Sequence, residues 1–352
     1  MMQEFQIKKT VRDLDSQIQH KIDFKTKPLG ALGQLETIAK QICRIQETLS
    51  PKLNKPVFVV FAGDHGITAE GVSPFPQEVT YQMVYNFLSG GAAINVFARQ
   101  NHIQLKIVDC GVNHTFEPSS ELIDLKIGYG TQNFKFEPAM SLADCEKAIW
   151  NGAKLVETIH LSGTNIIGFG EMGIGNTTSA AALFCKYTQI SVNDAVGMGT
   201  GLTTEGVAHK MEVIQQAILN HNLTHSPLDV LATFGGYEIA TMVGAMLKAA
   251  ELKMVILLDG FIATSALLAA HAINSDVLDY CIASHLSNEN GHRKMLQILG
   301  LKPIISLDMR LGEGTGAAIA YPLIESAVRF MNEMSSFENA GVSTSVDVAT
   351  LA

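Results

Sequence analysis

The residues best suited to chemistry in this chain are carboxylates set between glycines. The segment from 310 to 316 has the sequence RLGEGTG and places Glu313 between Gly312 and Gly314. Glycines let a backbone approach a ligand closely, and the apolar helix pattern that follows would favour an anionic group at its start. From this segment alone two interpretations stay open: Glu313 is presented to a ligand, or it caps the helix.

A second glycine-rich segment, GFGEMGIGNTTS at 168–179, follows an apolar run and opens a helical pattern. Bare backbone amides, threonine hydroxyls and a helix N-terminus together predict a phosphate-binding loop. Downstream, Lys210 lies on a predicted helix and would add a point charge to the same phosphate. The alternative is a glycine-rich turn that binds nothing.

The same letters satisfy G-x-G-x-x-G, so a dinucleotide-binding fold has to be weighed. Against it, the motif lies in the middle of the chain, and residues 186–193 make a poor second strand. The chain has no G-x-x-x-x-G-K-[ST] motif, which argues against a P-loop kinase or ATPase.

Other polar residues carry weaker signals. Asp64-His65 has the residue types of an acid/base pair or of half a metal site. No further ligand lies at metal-ligand spacing, and the H-E-x-x-H motif is absent. A positioning role or a hydrogen-bonded polar corner is therefore favoured. The stretch SHLSNENGH at 284–292 is interpreted as an ordinary polar loop, because a G-x-S-x-G elbow is missing. Phe75 and Met83 offer a surface that suits a flat apolar ring, or that belongs to the core.

Several apolar runs end at an acid and a glycine, and these must position the candidate residues. The runs are 57–64, 105–109, 165–171 and 254–259, and helical patterns lie between them at 77–87, 92–99, 142–158, 204–220 and 237–251. Alternating strands and helices predict an α/β fold: a Rossmann-like parallel sheet with helices on both faces. Because ligands bind beyond the carboxyl ends of such strands, the acid and glycine corners are expected to line one cleft.

The two ends of the chain differ from its middle. Helical patterns cover 11–22 and 34–49 with no strand between them, and a long apolar helix is predicted at 316–334. We expect residues 1–50 and 316–352 to form a small helical subdomain against a large α/β domain at 51–315.

Composition excludes several classes of protein. With 352 residues, 47% hydrophobic and 17% charged, the chain is globular, and a net charge of −9 argues against nucleic acid as a partner. Five cysteines without a C-x-x-C pair indicate reduced thiols, with neither a disulfide framework nor a zinc site. The N-terminus lacks a signal-peptide core, and the apolar tract at 255–273 is interrupted by polar residues. We therefore expect a cytoplasmic protein without a membrane span.

Six ordered segments resemble one family. They are KPLGALG at 27–33, GDHG at 63–66, GGAAIN at 90–95, GEMGIGNTT at 170–178, LDGF at 258–261 and RLGEGTG at 310–316. Over nearly its whole length the chain resembles nicotinate-nucleotide–dimethylbenzimidazole phosphoribosyltransferases of cobalamin biosynthesis. The resemblance implies a homodimer with a Rossmann-like large domain and a small helical domain built from both termini.

The resemblance also implies a reaction and a set of site residues. Ribose 5-phosphate moves from nicotinate mononucleotide to 5,6-dimethylbenzimidazole, giving α-ribazole 5′-phosphate and nicotinate without a cofactor or metal. Glu313 matches the catalytic carboxylate, acting as a general base or by electrostatic stabilisation of the growing cation. The implied phosphate and nucleotide contacts are Glu171, Gly173, Gly175, Asn176, Thr177, Lys210, Gly260 and Ser287, and the implied base-binding residues are Phe75, Met83 and Leu311.

Two rival functions remain at this point. One is an oxidoreductase that holds a dinucleotide on the glycine loop that starts at Gly168. The other is a nucleotide sensor without catalysis, in which Glu313 caps a helix.

Overall fold

A six-stranded, entirely parallel sheet forms the centre of the molecule. In the computed structural model, which describes residues 4–196, 203–221 and 226–343, the strand order is β3-β2-β1-β4-β5-β6. The strands are β1 Val57–Gly63, β2 Gln104–Gly111, β3 Leu122–Asp124, β4 Ile166–Met172, β5 Val255–Leu258 and β6 Cys281–Ala283. This is the order of a doubly wound dinucleotide-type sheet, so the predicted Rossmann-like α/β fold is confirmed.

The central strands are buried along their whole length. Every residue of β1 and β5 is buried, as is all of β4 except its last residue. Strands covered on both faces need continuous apolar sequence rather than alternation, which is why the runs at 57–64 and 254–259 were recognisable.

Helices surround the sheet. They are α1 Asp15–Asp23, α2 Gln34–Ile45, α3 Val79–Leu88, α4 Ala93–Gln100, α5 Leu142–Leu161, α6 Asn176–Thr188, α7 Val192–Ala195, α8 Thr204–Asn220, α9 Pro227–Phe234, α10 Tyr237–Glu251, α11 Phe261–Ile273, α12 His292–Ile298, α13 Thr315–Glu333 and α14 Phe337–Ala340. The predicted bounds of α8 and α10 are met to the residue. The pattern at 11–22 becomes helical only from Asp15, and α2 ends at Ile45, just before Glu47 takes a left-handed φ of 51°.

The two ends of the described chain pack together. Helix α2 packs against both α1 and α13. The buried Lys25 donates from Nζ to the carbonyl of Met334, and Asn332 donates to the carbonyl of Pro51. These contacts fit the predicted helical subdomain, whose boundaries at 50/51 and 315/316 stay a prediction. Its last residues, 344–352, lie outside the described part of the chain.

The stretch at 284–292 is more ordered than the sequence indicated. His285–Leu286 forms a short strand, β7, parallel to β8 at Ile305–Ser306, and His292 begins α12. A two-residue strand shows no measurable alternation, so the ladder could not be recognised from sequence. The short strands β3 and β6 went unpredicted for the same reason.

Candidate active site

A cavity of about 310 Å³ opens beyond the carboxyl ends of β4 and β5. It lies beside the point where the strand order reverses, between β1 and β4, which is where such sheets bind ligands. Its volume is at the lower end of the range for small-molecule sites. The predicted site residues that line it are Phe75, Met83, Glu171, Gly173, Gly175, Asn176, Thr177, Gly260, Ser287, Leu311 and Glu313.

Glu313 enters this cavity from a strained loop. The residue has a left-handed φ of 65°, between Gly312 at 87° and Gly314 at 84°. The loop crosses directly over the end of β4, where a Cβ on Gly170 would lie 2.2 Å from the carbonyl carbon of Glu313. Glycine at both places allows a close backbone crossing that places the Glu313 side chain at the cavity wall.

Glu313 is not the cap of the helix that follows it. That role belongs to Asp259, which follows β5: its carboxylate accepts the amide of Gly314 at 3.2 Å and the amide of Ala317 at 3.0 Å. Asp259 thus supplies the negative charge that the first turn of α13 favours. The helix-cap interpretation of Glu313 is therefore wrong.

The carboxylate of Glu313 instead faces the start of another helix. Its Oε2 accepts the backbone amide of Ile94, in the first turn of α4, at 3.4 Å. Burial raises the pKa of Glu313 to about 7; the Ile94 amide opposes this shift and the charge of Asp259 adds to it. A carboxyl that is half ionised near neutral pH can take up or release a proton during a reaction.

Glu171, at the end of β4, connects the two glycine-rich loops. Its carboxylate accepts a short hydrogen bond from Nδ2 of Asn176 and another from the backbone amide of Glu313. Burial, and then the charge of Asp259, raise the pKa of Glu171 to about 8. A Cβ on Gly312 would come within 2.2 Å of Oε1 of Glu171, so the loop at 310–316 fits against Glu171 only with glycine there.

The glycine loop and the start of α6 form an anion-attracting wall. Gly175 precedes α6 with a φ of 96°, and Thr177 lies in the first turn of that helix. Lys210, on α8, is 3% exposed and donates from Nζ to Oγ1 of Thr177 at 2.8 Å. Burial lowers the pKa of Lys210 to about 8, which leaves it mostly charged at pH 7. Lys210 does not line the cavity; it acts on the wall through Thr177.

Part of the cavity lining is apolar. Phe75 and Leu311 are about half exposed at its rim, and Met83 and Val79 reach it from α3. Such a surface suits an aromatic ring.

Two residues to which the sequence analysis gave no role line the cavity, and one acid that was expected to line it lies behind it. Asp259 fixes the Glu313 loop from behind, while His285 and Arg310 line the cavity. Arg310 was visible in the RLGEGTG segment, but nothing in the sequence indicated which way its side chain points. His285 lies in the stretch interpreted as a polar loop and is buried, with Nε2 3.6 Å from Asp259.

Other expectations about the cleft need correction. Asp109 does not reach the cavity: it forms an ion pair with Lys126 at 2.8 Å and accepts amides at the end of β2. Asp64 and His65 lie beneath the glycine loop instead of in the cavity. His65 is fully buried between Glu238, 2.6 Å from Nε2, and Ser179, 3.0 Å from Nδ1, which agrees with the favoured polar corner.

Within residues 4–196, 203–221 and 226–343 no group of three or more His, Cys, Asp or Glu side chains is arranged to hold a metal ion. In the same ranges, no helix has the length and apolar character needed to cross a membrane.

Comparison with known proteins places this arrangement in a family. A family model described as "Phosphoribosyltransferase" matches residues 7–342. A protein named nicotinate-nucleotide–dimethylbenzimidazole phosphoribosyltransferase from Janthinobacterium sp. (strain Marseille) is 54% identical over 94% of this chain and 96% of its own length. A protein of the same name from Dechloromonas aromatica (strain RCB) is 54% identical over 97% of this chain and 99% of its own length.

The fold comparison agrees. The crystal structure of CobT from Thermus thermophilus superposes with a TM-score of 0.92 at 39% identity, covering 95% of this chain and all of that one. The residues matched by the family model include both glycine loops. This chain is a pentosyltransferase and belongs to the nicotinate-nucleotide–dimethylbenzimidazole phosphoribosyltransferase family.

Proposed function

We propose that this enzyme transfers ribose 5-phosphate from nicotinate mononucleotide to 5,6-dimethylbenzimidazole, giving α-ribazole 5′-phosphate and nicotinate in cobalamin biosynthesis. The observation that carries the proposal is Glu313, a buried carboxyl with its pKa raised to about 7, in a cavity whose lining includes an anion-attracting wall and apolar side chains. The names of the relatives support the choice of substrates.

The 5′-phosphate binds at the glycine loop and the start of α6. The hydroxyl of Thr177 and the positive end of the helix favour an anion there. Lys210 adds charge from behind Thr177. Gly260 and Ser287, which lie close to each other in the cavity lining, face the ribose.

The incoming base lies against Phe75, Met83 and Leu311, with its N–H directed at Glu313. One ring nitrogen attacks C1′ of the ribose while the bond from C1′ to the pyridinium nitrogen breaks. The electron pair of that bond goes to nicotinate, which leaves as a neutral ring nitrogen. The attacking base becomes cationic, and its N–H proton goes to the carboxylate of Glu313. General-base assistance of this kind is typically worth ~10²–10⁴ in rate.

The leaving group carries a carboxylate, which calls for a cation. Arg310 lines the cavity two residues before Gly312, and the described residues show no ion-pair partner for its guanidinium. We assign Arg310 to the carboxylate of nicotinate, because a guanidinium pairs with a carboxylate in a planar, bidentate geometry. This role would favour nicotinate mononucleotide over its amide analogue.

The direct test mixes purified protein with nicotinate mononucleotide and a panel of benzimidazoles and identifies any riboside by mass and its anomeric configuration by NMR. The expected product is the α-riboside 5′-phosphate with release of nicotinate. Binding of the nucleotide without any product would leave only a nucleotide-binding protein and refute the proposal. Homodimer formation, cytoplasmic localisation and the preference for dimethylbenzimidazole over other bases stay predictions.

A further inference from the structure

A chain of three hydrogen bonds links the backbone of Ser287 to the backbone of Gly260. The backbone amide of Ser287 donates to Nδ1 of His292 at 2.8 Å, and Nε2 of His292 lies 3.0 Å from Oγ1 of Thr264. The hydroxyl of Thr264 donates to the carbonyl of Gly260 at 2.7 Å. Gly260 lies close to Ser287, because a Cβ on the glycine would lie 3.6 Å from Cβ of Ser287.

Each proton in this chain of hydrogen bonds has one possible position. An amide can only donate, so Nδ1 of His292 must be the accepting nitrogen, and Nε2 therefore carries the proton and donates to Thr264. The hydroxyl of Thr264 is then free to donate onward to Gly260. Burial lowers the pKa of His292 to about 3, in agreement with a neutral ring. His292 and Thr264 are both completely buried, so water does not compete for these bonds.

We propose that His292 and Thr264 are positioning residues that hold Ser287 and Gly260 in a fixed relative position and so set where the ribose phosphate binds. This inference rests on the proposed function, in which Ser287 and Gly260 contact the nucleotide. Neither His292 nor Thr264 lines the cavity, so both act only through the two residues they hold.

The chain of hydrogen bonds uses the backbone amide of Ser287 and leaves its side-chain hydroxyl available to a ligand. Its Oγ accepts the amide of Glu289 at 3.4 Å, and no described residue accepts the proton of this hydroxyl. That proton is available to an oxygen of the substrate. If the backbone of Ser287 moves, this donor moves with it, and affinity for the nucleotide falls before the chemical step is affected.

The test uses Thr264→Val, which removes the hydroxyl and keeps the shape. The matched control is Thr241→Val: Thr241 is also buried, and its hydroxyl also donates to the carbonyl four residues earlier at 2.7 Å. We expect Thr264→Val to raise KM for nicotinate mononucleotide roughly three- to tenfold, the worth of one hydrogen bond. Its kcat and its KM for the base should stay within about twofold, and the control should change none of these.

Two further measurements separate positioning from a general loss of structure. Nitrogen-15 NMR of the histidine rings should show His292 neutral and protonated at Nε2 at pH 7. The variant His292→Asn, which keeps an acceptor near the position of Nδ1 but cannot reach Thr264, should match Thr264→Val in its KM.

The proposal is overturned if His292 carries its proton on Nδ1, or if Thr264→Val lowers only the melting temperature and leaves KM unchanged. If the parent enzyme forms no riboside, the proposed function fails. The NMR result and the affinity of Thr264→Val for the nucleotide then still decide whether His292 and Thr264 position Ser287 and Gly260.

Discussion

The ionisation of Glu313 makes a quantitative prediction about the pH dependence of the reaction. Its pKa is raised from 4.5 to about 7, chiefly by burial. At 1.36 kcal/mol per unit, this disfavours the ionised form by about 3.4 kcal/mol. A base with a pKa of about 7 is roughly one-tenth ionised at pH 6 and nine-tenths ionised at pH 8. We therefore expect kcat/KM for nicotinate mononucleotide to rise about eight- to tenfold between these pH values.

The assay measures riboside formation from pH 5.5 to 9 at constant ionic strength. The substrate phosphate also ionises near pH 6, so its contribution must be removed. Binding of nicotinate mononucleotide to Glu313→Gln over the same range measures that contribution, since this variant lacks the titrating base. The variant Glu171→Gln keeps the Ile94 contact of Glu313 and should show the same break near pH 7.

A different profile would refute this reasoning. A carboxyl with an ordinary pKa of 4.5 is already about 97% ionised at pH 6, so the rate would then change by only a few per cent up to pH 8. A flat corrected profile would mean either that Glu313 is not the base or that the cavity does not desolvate it. A break retained in Glu313→Gln would assign the titration to another group.

Three other perturbations test neighbouring parts of the site. Lys210→Met should raise KM for nicotinate mononucleotide roughly tenfold at pH 7; because the pKa of Lys210 is about 8, the parent should also lose affinity above that pH, whereas Lys210→Arg should not. Glu171 has its folded pKa raised from 4.5 to about 8, so its contribution to stability is complete below pH 4.5 and is lost as pH rises towards 8. Glu171→Gln should remove this pH dependence of the free energy of unfolding, which is worth at most ~5 kcal/mol. Denaturant unfolding at pH 4.5 and pH 8 measures it, and an equal change in the free energy of unfolding for parent and variant would contradict the prediction. Arg310→Gln should lower kcat/KM for nicotinate mononucleotide about tenfold but leave the amide analogue nearly unchanged; equal losses for both, against an unaffected Arg293→Gln control, would exclude the assigned role.

Much of the fold was predictable because its signals are local. The buried strands show as apolar runs that end at a glycine and an acid, and the helices α8 and α10 show as apolar residues at helical spacing. This alternation predicts a parallel sheet, whereas the strand order depends on long-range pairing and is seen only in the structure. The short strands β6, β7 and β8 carry too few residues for any pattern.

The site was predictable only in part, because its electrostatics depend on long-range contacts. Flanking glycines identified Glu313, and the glycine loop identified the wall around Asn176. The raised pKa of Glu313 comes from burial and from Asp259, which joins the loop from 54 residues earlier in the sequence. The amide of Ile94 reaches Glu313 across 219 residues. No local pattern indicates such long-range contacts, so the place of His285 in the site and the contact of Asp259 with the Glu313 loop were recognised only in the folded chain.

A single-turnover measurement tests whether Glu313 takes the proton from the incoming base. Parent and Glu313→Gln, each saturated with nicotinate mononucleotide, are mixed with dimethylbenzimidazole, and the riboside is followed with time. We expect the variant to bind the nucleotide within about threefold of the parent but to form riboside at least ~10²-fold more slowly. Riboside formation by Glu313→Gln at nearly the parent rate would contradict it.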